Sequence, residues 1–104
     1  MDESQYLQAS EEVMARIEEL LDRSDDEIDY ERSGVVLTLE FDSGDEMVIN
    51  KQAPMQEIWV ASRLGAHHFR YRDGQWFDTR SDAELLSFVV SDIEQLSGVR
   101  LPLN

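Results

Sequence analysis

Residues 48–61 read VINKQAPMQEIWVA, and this stretch decides the fold. An apolar run gives way to polar Asn50, Lys51 and Gln52, and Pro54 then interrupts. Proline has no amide N–H to donate to a ladder, so it belongs between strands. From residue 57 to 62 the alternation resumes, turning Ile58 and Val60 to one side and Trp59 to the other. Two short strands separated by a proline connection belong to an antiparallel sheet with one covered face. Trp59 then falls on the uncovered face, an unusual position for the largest side chain.

Working outward, residues 67–72 form a further strand. Asp73-Gly74 turns it back, a strong hairpin signal, into residues 75–78, where Trp76 points to the core. On the N-terminal side, Ser43-Gly44 separates the strand at residues 46–50 from one at residues 35–41, whose Val35, Leu37, Leu39 and Phe41 share a side. Ser33-Gly34 turns back to residues 27–32, where Ile28 and Tyr30 oppose Glu27, Asp29 and Glu31. Helices flank this run of strands. Over residues 4–23, Tyr6, Ala9, Val13, Ile17 and Leu20 recur at steps of three and four, one stripe of an amphipathic helix. Ser81 and Glu84 have the spacing of a capping box, opening a second helix with Leu85, Phe88, Val89, Ile93 and Leu96 inward and Gly98 at its end. The apolar tail at residues 99–103 is expected to fold back between the helices. The expectation is one domain over residues 1–104: a two-layer α+β sandwich, two terminal helices on one face of an antiparallel sheet of five to six strands, the other face toward solvent.

Charge is distributed unevenly. The 104 residues hold 23 acidic and 9 basic side chains, a net charge of −14. Twelve of the acids lie in the first 31 positions against Arg16 and Arg23 alone, so that segment carries −10. On a helical wheel Glu11, Glu18 and Asp22 point away from the apolar stripe, with Glu12 and Glu19 beside them. Asp25, Asp26 and Glu27 follow, then Asp29 and Glu31. Clustered carboxylates suit hard cations such as iron, manganese, calcium or magnesium, bound weakly where no cage is preformed, and equally suit a basic protein surface. This reading requires the carboxylates to converge in one patch that the protein's own cations leave unmatched.

Composition also excludes. With no cysteine, disulfides, thiolate nucleophiles and cysteine-ligated metals are absent. An acidic chain poor in Lys and Arg is a poor ligand for nucleic acid, and no apolar stretch reaches the roughly 20 residues of a membrane span. A reducing cytoplasm fits best. His67 and His68 are adjacent in a strand and point to opposite faces, so they cannot chelate one ion together. Either one alone is a candidate secondary metal ligand, for softer ions.

Three segments together, the acidic helix leading through DDEIDYE at residues 25–31, GVVLT at residues 34–38 and the NKQAPMQEIW of residues 50–59, resemble the frataxin family in its bacterial branch. Gly65, His68-Phe69 and Asp73-Gly74-Gln75-Trp76 fit the same pattern, and the likeness covers the whole chain. The resemblance implies a modulator of iron–sulfur cluster assembly with no catalytic residue. It implies weak binding of ferrous and ferric iron, other cations serving as surrogates, through Glu18, Glu19, Asp22, Asp25, Asp26, Glu27, Asp29 and Glu31. It also implies docking on the cysteine desulfurase complex through Glu11, Glu12, Glu18, Glu19 and Asp22. Asn50, Gln52, Gln56 and Trp59 would form an exposed partner-binding sheet surface on which Trp59 anchors the contact with the iron–sulfur scaffold protein, and the chain would be a monomer without iron. The rival reading is an iron-oxidising or iron-storing protein. It lacks support in the pattern, because di-iron carboxylate sites use helical Glu-x-x-His motifs and neither histidine lies in a predicted helix.

Overall fold

A computed structural model of the chain describes residues 1–24 and 28–103. It runs α1 (Glu3–Asp22), β1 (Asp29–Ser33), β2 (Val36–Glu40), β3 (Glu46–Gln52), a single 3₁₀ turn (Ala53–Met55), β4 (Glu57–Ser62), β5 (Gly65–Arg72), β6 (Gln75–Asp78) and α2 (Leu85–Ser97). The strands pair strictly in sequence order, β1-β2-β3-β4-β5-β6, each antiparallel to the next. Every connection in the sheet is therefore a local turn. Both helices cover one face, giving the two-layer α+β arrangement that the alternation predicts.

α1 forms where its apolar spacing places it. Tyr6, Ala9, Val13, Ile17 and Leu20 are all buried, joined by Met14 and Leu21. A side chain such as Ile17, 1% exposed, contributes about 1.5–3 kcal/mol of burial. The helix begins with a capping box that sequence reading overlooks: Asp2 Oδ1 accepts from the Gln5 amide at 2.8 Å, and Gln5 Oε1 accepts from the Asp2 amide at 2.9 Å. Against the stripe lie Leu37, Leu39, Met47, Ile49, Ile58, Val60, Phe69 and Trp76, the alternate residues of β2 to β6. The Tyr6 hydroxyl donates to the Glu57 carbonyl at 2.8 Å, tying the first turn of α1 to the start of β4.

Two expectations give way. Ser33 pairs with Val36, so the β1-β2 loop is Gly34-Val35 and Val35 stands 52% exposed instead of facing inward. Gly34 has φ 58°, the left-handed region that a two-residue hairpin loop requires. At α2 the cap is Glu84, whose carboxylate accepts from the Leu86 and Ser87 amides. Ser81 instead donates to Asp78 at 2.9 Å, because it lies in the bend leaving β6. The remaining turns hold: Asp73 and Gly74 are both at positive φ, and Gly98 closes α2 at φ 78°. The tail docks as expected, with Leu101 buried and the Leu103 carbonyl accepting from Arg16 at 2.8 Å.

Candidate functional site

The acidic residues meet along the edge where α1 lies beside β1. Tyr30 and Arg32 share the inward-facing side of β1 and lean onto α1. The Tyr30 hydroxyl donates to Asp22 Oδ1 at 2.6 Å, and that hydrogen bond, helped by burial, pushes the Tyr30 phenol up to about 12. Arg32 reaches Glu18 at 2.9 Å and also pairs with Glu11, whose carboxylate takes Lys51 Nζ at 2.7 Å as well. Hydrogen bonds first from Lys51 and then from Arg32 hold the Glu11 carboxyl below its usual value. Glu19 pairs with both Arg16 and Arg23.

The expectation of an unmatched patch is therefore corrected in its middle. Glu11, Glu18 and Glu19 carry internal counter-charges. The wheel sends Glu18 straight to solvent, yet β1 packs against that flank and leaves its side chain 23% exposed. Among the described residues no ion pair reaches Glu12, Asp22, Asp29 or Glu31. Asp29 and Glu31 project from the opposite side of β1, on the outer face of the sheet. Asp25, Asp26 and Glu27, also expected here, lie outside the described residues. No group of three or more acidic or histidine side chains among the described residues is set close enough to cage a metal ion. The edge can gather cations in an open, hydrated way and can meet a basic surface.

Strand register adds acids that sequence reading passed over. Asp29 is opposite Glu40 on β2, and Glu40 is opposite Glu46 on β3. Like charges directly across a ladder are destabilising. The row was hidden because only the register of three strands brings it together.

The outer face changes character toward β5. Asn50, Trp59 and His68 follow one another across β3, β4 and β5. Trp59 stacks on His68, ring centroids 4.3 Å apart and planes 12° from parallel. Its indole N–H donates to Glu57 Oε1 at 2.8 Å, and Arg70 Nε donates to Glu57 Oε2 at 2.7 Å. Burial pushes the Glu57 carboxyl up, but the hydrogen bonds from Trp59 and Arg70 and the charges of Arg70 and His68 outweigh it and hold it below its usual value. Gln52 and Gln56 flank this platform, Gln56 donating to the Met1 carbonyl at 2.9 Å. The two histidines separate as expected: His67 Nδ1 lies 2.9 Å from Asp78 Oδ2 beneath Phe88 on the helix side, while His68 stays with Trp59.

Comparison with known proteins adds to this geometry. A profile of the frataxin-like domain matches residues 1–99. A protein of Paraburkholderia phymatum named iron-sulfur cluster assembly protein CyaY is 47% identical over 98 residues, covering 94% of this chain and 93% of that protein. Its namesake in Ralstonia nicotianae is 45% identical over 107 residues, covering 99% and 95%. Among solved structures, the frataxin of Psychromonas ingrahamii superposes with a TM-score of 0.94 at 33% identity, covering 100% of this chain and 99% of that one. A trimeric frataxin from Saccharomyces cerevisiae, complexed with ferrous iron, gives 0.68 at 32% identity over 94% of this chain and 88% of its own. No helix among the described residues is long and apolar enough to cross a membrane.

Proposed function

The chain belongs to the frataxin family, and from that premise we propose that it modulates iron–sulfur cluster assembly without itself being an enzyme. It gathers ferrous or ferric iron weakly at the α1-β1 edge and presents the same edge to a cysteine desulfurase. The outer face around Asn50, Gln52, Gln56 and Trp59 meets the iron–sulfur scaffold protein. The carrying observation is the set of exposed carboxylates, Asp22, Asp29 and Glu31, that no cation among the described residues matches, next in sequence to the acidic residues 25–27. Oxygen donors of this kind accept a hard cation, and without a cage the affinity is on the order of micromolar or weaker. The relatives are named for cluster assembly, and the yeast structure was solved with ferrous iron, both of which support the reading.

Asp29 and Glu31 are the residues to reverse, because neither has an ion-pair partner among the described residues to lose. The Asp29→Lys, Glu31→Lys variant should keep its melting temperature while losing desulfurase binding at moderate salt and weakening ferrous iron binding under anaerobic titration. Unchanged desulfurase affinity in a folded variant would remove the β1 side of the edge from the docking surface. Rapid stoichiometric oxygen consumption on adding ferrous iron to the wild type would overturn the non-enzymatic assignment.

A further inference from the structure

Three basic side chains, His68, Arg70 and Arg72, occupy alternate positions of β5 and so share the outer face of the sheet. Of the described residues on that face of β4, β5 and β6, the one carboxylate is Glu57, and it is used up. It is 4% exposed although it sits on the solvent side, covered by Trp59 and Arg70, with its two oxygens taken by their N–H groups. Arg70 is different in kind. Its side chain is 62% exposed, and only Nε is engaged, so among the described residues both terminal nitrogens of the guanidinium are left without a hydrogen-bond partner. Arg72, next on the same face, lies over the Phe77 ring at 4.2 Å and pairs with Asp82.

A buried carboxylate that pins the inner nitrogen of an exposed arginine fixes the direction in which the outer fork points. The stack of Trp59 on His68 fixes a flat apolar wall beside that fork. We propose that this face of β4 and β5 is a seat for a carboxylate-bearing segment of a protein partner. Arg70 receives the carboxylate through its terminal nitrogens, Trp59 and His68 form the wall against which the segment's apolar part lies, and Glu57 is the positioning residue that aims both Arg70 and Trp59. Local polarity is thus the reverse of the α1-β1 edge: that edge accepts a basic partner surface, and this face accepts an acidic one. A phosphate backbone is not the ligand, since a chain of net charge −14 repels a polyanion and the basic positions here form no continuous track. The proposal deepens the reading of the outer face as a partner surface and rests on it.

The test uses the full chain with the scaffold protein as one probe and, as the other, a peptide of about ten residues mixing Glu, Ala and Leu, long enough to lie along a strand. Trp59→Ala reports on the face itself. Arg70 is tested in the double variant Glu57→Gln, Arg70→Gln, which avoids leaving a buried charge, against the wild type, with Glu57→Gln alone measuring how much of the effect comes from aiming. Binding by calorimetry should fall roughly tenfold in the double variant relative to the wild type, the scale of losing a charge-assisted partner. The acidic peptide should shift the Trp59 indole N–H and His68 resonances, and a lysine-rich peptide of equal length should leave them in place. If Trp59→Ala leaves scaffold affinity unchanged, this face is not the scaffold surface, and the peptide arm decides the carboxylate seat alone. If Trp59→Ala weakens binding while the double variant matches the wild type, the face stands and the carboxylate seat is overturned. Concentration-dependent self-association that requires Arg70 would make the occupant a second copy of this chain and also overturn the proposal.

Discussion

Replacing Arg32 with Gln separates two roles for the acidic edge, because this one side chain neutralises its centre. Arg32 holds Glu18 at 2.9 Å and bonds Glu11 through its other terminal nitrogen. The Glu18 pair is shielded on both sides. Glu11 is about half exposed and keeps Lys51, so its bond to Arg32 is discounted for solvent screening. Exposed ion pairs contribute about 0.2–1 kcal/mol each, and the two together about 1–1.5 kcal/mol. For a chain of this size 1 kcal/mol moves the melting temperature by about 4–8 °C, so a fall of roughly 5–10 °C is expected. Cation binding should move the opposite way. A unit charge about 7 Å from a divalent ion repels it by about 1.2 kcal/mol in a water-like dielectric. Screening at physiological salt, with a Debye length of about 8 Å, cuts this to about 0.5 kcal/mol, and at 0.01 M ionic strength about 0.9 kcal/mol survives. Arg32→Gln should therefore bind Mn²⁺ or Co²⁺ about two- to threefold more tightly at physiological salt and about fivefold more tightly at low salt. Calorimetric titration at the two salt concentrations, well below the variant's melting temperature, measures both. Weaker binding in the variant would refute the reasoning, since Arg32 would then be organising Glu11 and Glu18 as ligands instead of competing with the ion.

Other perturbations follow from the same geometry. Trp59→Ala removes a hydrogen bond from buried Glu57 and exposes it, so it should cost about 1–3 kcal/mol in thermal or urea melts, although the sequence alone makes Trp59 an outward side chain of little structural weight; a cost under about 0.5 kcal/mol would show that water replaces the indole freely. Glu57 and Asp78 are both held below their usual values in the folded chain, so the stability they contribute is fully present above the ordinary carboxylate values of 4.5 and 3.8 and is lost as pH falls through the folded ones. Glu57→Gln should accordingly flatten the acid limb of a stability-pH profile, and an unchanged limb would show that Glu57 is not a source of it. Asp92 behaves oppositely: its burial on α2 pushes its carboxyl up, with His67 opposing, so its ionisation destabilises the fold as pH rises above 3.8. Asp92→Asn should raise the melting temperature by a few degrees at pH 7 and leave it unchanged near pH 3; equal shifts at both pH values would assign the effect to packing.

What the sequence disclosed and what it withheld divide along a physical line. Periodicity reports which side of an element is apolar, so the α1 stripe, the inward Ile58 and Val60, the opposed histidines and the core position of Trp76 were all legible before any coordinates. Turn chemistry was legible where only one conformation suits the residues, as at Asp73-Gly74. It misled where two signals competed. Ser81 has a capping-box partner in Glu84, but the bend after β6 uses its hydroxyl for Asp78 and leaves Glu84 to cap α2 itself. Hairpin partners were legible from the turns, but side-chain pairing between elements distant in the chain was not. That Arg32 and Lys51 converge on Glu11 depends on how β1 and β3 lie against α1, residues 21 and 40 positions away in the chain. The Glu57 network was missed for the same reason, since a glutamate at an outward position ordinarily reads as solvated surface.

The cost of the acidic edge also has a place in the fold. β1 ends the sheet, and an edge strand carrying Asp29, Glu31 and Arg32 resists pairing with another chain because any incoming strand must meet charge. That protection accounts for charge on β1 but not for Glu40 and Glu46, which belong to interior strands and stand opposite one another, Glu40 also facing Asp29. Each such like-charge opposition costs a few tenths of a kcal/mol, which the packed core beneath β2 and β3 readily offsets. The repulsion has no structural return at those positions. A counter-charge from outside the chain, a hydrated cation or a basic partner side chain, would relieve it, and the same external charge could reach Glu31 two residues along β1. Among the described residues the outer face is thus graded from unmatched carboxylates at β1 to an exposed arginine fork at β5, so a partner of the proposed kind lying across it would be oriented by charge before reaching Trp59.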